Sequence, residues 1–504
     1  MYCLRRHGSV FAIVERIVEM KRIKLCVLAF MLLLTSCGGE TALPKETSET
    51  TTTASTETEP VDPYSDDLPR DLDFEGREFR VLTYQNGNLP SDSGSWPNYI
   101  DVDEQNGDLV NDAAYERNLT VEERLGVKII CTESSGTNVV GTLSTSVLAQ
   151  EDEYDLALIF STENCVNLIM QNMLVDVNTT EYIDLSKPYY TQSATETYRL
   201  GDANYIFAGK YPYPQVPSVF LIFNKGEWEN LRLDDPYQLV RDGKWTHDKL
   251  MSVMKDSYRD LNGNNERDAD DFYGLQTIPI LYQYLYTSYG GKTVTPTDSG
   301  FEFGFGDERA VNIIENIIAV LSDSSTYKSP ETGGIERYQT FFDGHALMTL
   351  YGSSFHALRD IEFDYGLLPT PKLDESQEDY RTYLAGGICM IPVTVSDTAF
   401  VSAVTEALYS ESAKRIEEPF IQQFVENKLL RDEGSVEMYR LMCDTACYEL
   451  TRYLDLSGGL IANLKPIGDL ISRNSTDIMS SWASVKDAVE TKFNEFYDAM
   501  VAGK

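Results

Sequence analysis

Between Glu78 and Phe160 the hydrophobic period of the chain switches from two to about 3.6 and back, twice over, and this alternation restricts the fold more than any other feature. Glu78-Phe79-Arg80-Val81-Leu82-Thr83-Tyr84 alternates apolar and polar positions and runs into Asn86-Gly87, a turn signal, so a first strand ends there. Gly107-Asp108 leads into a helix over 110–125 with an apolar stripe of Ala114, Leu119, Val121 and Leu125, closed by Gly126. Val127 to Ile130 makes a second strand and a Ser/Thr/Leu helix covers 141–150. Tyr154 to Phe160 is a third strand, nearly all apolar as in a buried parallel sheet. Strand, helix, strand, helix, strand predicts an α/β layer architecture.

The 504 residues leave room for two or three domains. With 42 Lys+Arg against 80 Asp+Glu, the formal charge of −38 repels polyanions and excludes a phosphate-tracking surface for nucleic acid. Four His argue against a His-rich metal site, whereas 31 Tyr and 21 Phe supply amphipathic surface for an uncharged ligand. Residues 20–37 carry a short basic stretch, the apolar run Leu25 to Leu34, and then Thr35-Ser36-Cys37. The run is too short for a comfortable bilayer span and reads as an export signal over 1–36, in which residues 1–19 precede a complete signal that starts at Met20. Leu34-Thr35-Ser36-Cys37 resembles the bacterial lipobox, which implies lipidation, palmitate included, of Cys37 as the first mature residue. Residues 37–69 hold a Thr/Ser/Glu-rich stretch with the composition of a disordered tether. The other cysteines of the exported part, Cys131, Cys165, Cys389, Cys443 and Cys447, are odd in number and scattered, which is no disulfide framework.

Four segments carry a resemblance. Gly107-Asp108-Leu109-Val110-Asn111-Asp112-Ala113-Ala114-Tyr115-Glu116-Arg117-Asn118, the Tyr154-Asp155-Leu156 strand, Phe220-Leu221-Ile222-Phe223-Asn224-Lys225, and Trp245-Thr246-His247-Asp248-Lys249-Leu250 after Asp242-Gly243 are, in this order and spacing, similar to the extracellular solute-binding proteins of bacterial ABC importers, in the sugar-associated branch. The resemblance runs from about residue 76 to the carboxyl terminus. It implies a two-lobed periplasmic-binding-protein-like α/β fold with an interlobe hinge, a ligand in the cleft, a permease as partner and no chemical step. The apolar runs Val219 to Asn224 and Leu384 to Ile391 are the expected interlobe crossings, which places the first lobe at 70–222 plus 390–504 and the second at 223–389.

Within the second lobe, Asp260, Asn262, Asn264, Asp268 and Asp271 occupy positions 1, 3, 5, 9 and 12 of an EF-hand-type loop, with Glu266 offering its carbonyl at position 7. Ca²⁺ needs six to eight hard oxygens, and this spacing wraps them round one point. The sixth position is Asn265, which tolerates the left-handed backbone usual there, and the loop also resembles those of dockerins; a solvated acidic turn is the alternative. The expected ion is structural.

Catalytic motifs are sparse: there is no G-x-S-x-G, HExxH, P-loop or GxGxxG. Topology selects Tyr84 and Asn86 after strand one, Trp96 in the following loop, Thr162 and Glu163 after strand three, Tyr211 and Tyr213 before the crossing, and Tyr282, Tyr286, Tyr351 and Ser353 in the second lobe as ligand contacts. Rings pack on sugar C–H faces and amides or carboxylates meet the hydroxyls, so the mixture suits an oligosaccharide. The expected protein is a monomeric, lipid-anchored binding protein on the outer face of the cell membrane that hands a small solute to an ABC permease. A surface glycoside hydrolase or other carbohydrate-active lipoprotein is the rival, and an adhesin or a peptide receptor is a further alternative.

Overall fold

The computed structural model describes residues 62–84, 99–134, 138–159, 163–330, 335–352, 355–384 and 386–502. Its strands are β1 (Arg77–Tyr84), β2 (Val127–Ser134), β3 (Leu156–Ile159), β4 (Phe220–Asn224), β5 (Tyr273–Thr277), β6 (Val294–Thr297), β7 (Gly300–Phe303), β8 (Thr326–Lys328), β9 (Ala346–Tyr351), β10 (Tyr365–Leu368), β11 (Thr382–Tyr383), β12 (Ile388–Met390) and β13 (Ala446–Cys447). The helices are α1 (Leu109–Leu125), α2 (Val139–Leu148), α3 (Val166–Met170), α4 (Gln192–Thr197), α5 (Lys225–Asn230), α6 (Pro236–Arg241), α7 (His247–Met254), α8 (Tyr282–Ser288), α9 (Glu308–Ser322), α10 (Gln339–Phe342), α11 (Thr398–Arg415), α12 (Glu417–Glu426), α13 (Glu433–Asp444), α14 (Lys465–Ser472) and α15 (Ile478–Ala502).

The alternation over 78–160 becomes β1, α1, β2, α2 and β3. Asp108 caps α1 by accepting from Val110 N and Asn111 N at 3.1 and 2.9 Å, and Gly126 ends it in the left-handed conformation at φ 62°. In the first sheet, of order β12-β3-β1-β2, β1 runs parallel to both neighbours and β12 closes the edge antiparallel to β3. Both faces are covered. Phe79, Val81, Leu156 and Leu158 pack with Phe400, Val404 and Leu408 of α11, while Leu82, Tyr84, Ala157 and Ile159 join the core on the opposite face. Each such large side chain, fully buried, contributes roughly 1.5–3 kcal/mol.

The second sheet has the order β10-β4-β9-β5-β8, with β4 antiparallel to both its neighbours. Trp245, quoted above for its motif, is fully buried beside it and donates from Nε1 to Pro369 O at 2.9 Å. After β12, the edge strand of the first sheet, α11 packs with that sheet, whereas α13 packs on β10, α14 on α8, and α15 on β7, where Phe303 meets Trp482 and Phe493.

Three neighbouring segments meet between the two sheets. Ser218 N donates to Tyr383 O at 3.3 Å, and β11 pairs in parallel with β13, extended by Thr382 N to Thr445 O and Leu384 N to Cys447 O. The apolar runs expected as crossings hold β4 and β12, which are strands of the two sheets and adjoin these segments. The reason is chemical: apolar runs are consumed by the sheet cores, and the connectors carry Gly, Pro and Ser.

Candidate functional site

The parallel strands β1 and β3 end at Tyr84 and Ile159, and the chain after β3 returns at Glu163. The Tyr84 hydroxyl donates to Glu163 Oε1 at 2.6 Å. Glu163 in turn accepts from Val139 N and Val140 N, at 3.3 and 2.8 Å, so its carboxylate sits on the first amides of α2. A carboxylate suits the positive end of a helix. Two residues on, Cys165 N donates to Tyr453 O at 2.8 Å and Asn164 Nδ2 to Asp455 O at 2.8 Å. The segment 452–455 is thereby fastened against the carboxyl end of the first sheet.

That segment also touches the segments between the two sheets. The Tyr453 hydroxyl donates to Gly386 O at 2.5 Å. A Cβ on Gly386 would lie 1.6 Å from Gln215 Oε1, so the side chain of the outgoing segment lies directly against the returning one here. Next to it the Tyr383 ring stacks on Tyr284 of α8, with centroids 4.2 Å apart. The Arg452 guanidinium lies among Tyr383, Tyr453 and Tyr284; burial works against its charge, but these phenols raise its pKa. Tyr284, Tyr383, Tyr453 and the Arg452 cation thus gather beside the end of the first sheet where Tyr84 meets Glu163.

No family model matches this sequence, and no curated protein matches it in sequence. Solved structures do match in fold. A cyclo/maltodextrin-binding protein complexed with maltotetraose is 14% identical, with 85% of this chain and 98% of that one covered at a TM-score of 0.51. UspC of M. tuberculosis is 12% identical over 82% of this chain and 100% of its own, at 0.55. The maltose-binding periplasmic protein MalE of Listeria monocytogenes, in complex with maltose, is 13% identical over 83% and 98%, at 0.54. This chain has their two-lobed binding-protein fold. The first and second sheets are the cores of its lobes, and the three segments between them form the hinge.

Two of the residues selected from topology, Tyr84 and Glu163, are joined by the structure in one hydrogen bond. Asn86, Trp96, Thr162 and Ser353 lie outside the described residues, and Tyr282 opens α8. The remaining four rings are buried, as Tyr84, Tyr383 and Tyr453 are, but pack with other partners. Tyr211 packs against Tyr409 and under Arg117, Tyr213 stacks on Phe420 with centroids 5.9 Å apart, Tyr286 donates to Gly304 O at 2.9 Å, and Tyr351 packs between Phe220 and Tyr338. Each adjoins a strand or hinge segment whose apolar neighbours draw a ring inward, and chain order does not say which way it turns. Arg452, Tyr453, Tyr383 and Tyr284 escaped the sequence reading. The one signal was an arginine inside the run Tyr448-Glu449-Leu450-Thr451-Arg452-Tyr453.

In the loop at 260–271, Asp260 accepts from Gly263 N and Asn265 N at 2.6 and 3.0 Å, Asn262 Oδ1 from Asn264 N at 3.0 Å, and Asn264 Oδ1 from Glu266 N at 2.7 Å. Asp268 accepts from the side-chain amides of Asn262 and Asn264. Asp271 is buried and accepts from Leu261 N and the Tyr258 hydroxyl at 3.1 and 2.8 Å. Asn265 is left-handed, at φ 58°. Among the described residues no three His, Cys, Asp or Glu side chains are gathered as metal ligands. The five cysteines of the described part are free thiols, and His247 is buried with Nδ1 3.1 Å from the Tyr289 hydroxyl.

Proposed function

We propose that this protein is an extracellular solute-binding protein that captures an oligosaccharide between its lobes and delivers it to an ABC permease, without altering it. The observation that carries this reading is the meeting of the Tyr84–Glu163 pair with the Tyr284–Tyr383–Arg452–Tyr453 cluster at a three-segment hinge. Ligand sites favour such interfaces at the carboxyl ends of parallel strands. The neighbours in fold include proteins described with bound maltose and maltotetraose. Ligand touching both lobes favours the closed state, because only that state offers both sets of contacts. A melting-temperature screen over glycans identifies the solute, and small-angle scattering at saturation is expected to show a smaller radius of gyration. An unchanged radius, with cleaved glycan accumulating, would replace this reading with the hydrolase.

Anchoring belongs to the same proposal. Cys37 lies outside the described residues, and among the described residues no helix is long and apolar enough to cross a membrane. A lipidated Cys37 would hold the lobes at the outer surface on the 37–69 tether. Replacing Cys37 by Ala is expected to move the protein from the membrane fraction to the medium, and retention at the membrane would refute the anchor.

For the 260–271 loop we propose one structural Ca²⁺ held by Asp260, Asn262, Asn264, Asp268, Asp271 and the Glu266 carbonyl. The oxygen spacing and the left-handed Asn265 support it. At a hundredfold excess over Kd the ion would add about 2.7 kcal/mol of stability. Chelator should therefore lower the melting temperature of the wild type but not of the Asp260→Asn, Asp268→Asn double variant, which keeps hydrogen-bond acceptors and loses charge. Equal responses would count against the ion.

A further inference from the structure

Arg452 is partly buried, and its Nε has no hydrogen-bond partner. Such a donor is costly if nothing meets it. Its strongest electrostatic neighbours are phenols, not carboxylates, although acidic residues outnumber basic ones 80 to 42 in the chain. The carboxylate of Glu163 is committed to the α2 amides and the Tyr84 hydroxyl. Arg452 therefore stands at the hinge, beside the segment fastened by Cys165 and the Tyr383–Tyr284 stack, and among the described residues the strongest charges acting on it come from phenols.

We propose that Arg452 selects an acidic sugar, so that the solute of this cleft carries a carboxylate, as a uronic-acid unit does. The proposal rests on the oligosaccharide reading above. A guanidinium presents a planar fork of N–H donors that matches a carboxylate in two parallel hydrogen bonds, and an aromatic, partly dry setting strengthens that pair. A neutral sugar would meet the same fork with hydroxyls only. Doubly charged phosphate fits less well: one cation would have to hold two charges inside a field set by a net −38.

The test is calorimetric titration of the full chain with trimers of galacturonate, glucuronate and mannuronate, beside their methyl esters and the corresponding neutral trimers. The expected result is that one oligouronide binds at least tenfold tighter than its methyl ester and its neutral counterpart. Arg452→Gln should remove that preference, and Arg452→Lys should restore part of it. The ester comparison uses wild-type protein and stands even if a variant folds poorly. A neutral trimer that binds as tightly as its acidic counterpart, or an affinity for the acid unchanged in Arg452→Gln, overturns the acidic-sugar proposal and leaves the sugar receptor intact. Binding of no glycan of either kind overturns both.

Discussion

Replacing Arg117 by Met is expected to lower the free energy of unfolding by about 3–5 kcal/mol, measured by chemical denaturation at neutral pH. Arg117 lies on α1 with no exposed surface. Its Nη1 donates to Pro212 O at 2.8 Å and its Nη2 to Tyr99 O, while Nε and Nη2 share Asn118 Oδ1 at 2.9 and 2.7 Å. The Tyr211 ring lies 5.0 Å from the guanidinium carbon. Burial pulls its pKa down to about 10, still high enough to keep the charge at pH 7. Carbonyl dipoles hold the cation here, and they come from the segment before α1 and from the approach to the hinge. Met fills the space of the stem but leaves the carbonyls of Tyr99 and Pro212 and the Asn118 amide oxygen short of donors, at about 1–3 kcal/mol each. A loss below about 1 kcal/mol would mean that water replaces the guanidinium and that Arg117 does not hold these segments together.

Glu406 is expected to make the first lobe more stable as the pH falls. It sits inside α11, 1% exposed, where Tyr190 donates to Oε2 at 2.7 Å, Tyr189 donates to Oε1, and Asp184 N approaches Oε2 at 3.4 Å. Burial pushes its carboxyl from 4.5 up to about 7, and the two tyrosine hydroxyls only partly counter this. A raised carboxyl means that the folded state holds a proton the unfolded chain has lost between those values. The contribution is complete below about pH 4.5 and disappears as the pH rises through about 7, with an amplitude on the order of 3 kcal/mol. Glu406→Gln mimics the protonated form. It should match the wild type near pH 4.5 and exceed it at pH 8, and parallel stability curves for the two proteins would show that Glu406 titrates normally. The comparison must be between the two proteins, because Asp66, Asp152 and Asp432, whose pKa values are lowered, act in the opposite direction in acid.

Much of the first lobe is readable along the chain. β1, α1, β2, α2 and β3 announce themselves because strand and helix must each turn their apolar side chains to one core, and the period follows from the backbone. Boundaries move by only a residue or two at α1 and β1, where Asp108, Gly126 and the alternation mark the ends. α11 behaves otherwise. It is buried all round, including Ser402, Glu406, Ser410 and Ser412, so no polar face marks it, and the partners that make this tolerable, such as Tyr64 O for Ser410, lie hundreds of residues away.

The candidate site divides along the same line. Tyr84 and Glu163 can be placed from the chain because they follow two parallel strands, and parallel strands bring their carboxyl ends to one side. Arg452, Tyr383 and Tyr284 come from three distant segments, and their meeting depends on the β11–β13 pairing and on the contact at Gly386. Amino-acid order alone is enough for the α/β class, the strand ends near which Tyr84 and Glu163 lie and the unusual acidity, since these depend on local period and composition. Which rings gather at the hinge, how its three segments adjoin, and where a cation stands among phenols are decided by contacts between residues far apart in the chain, whose energies no local pattern records.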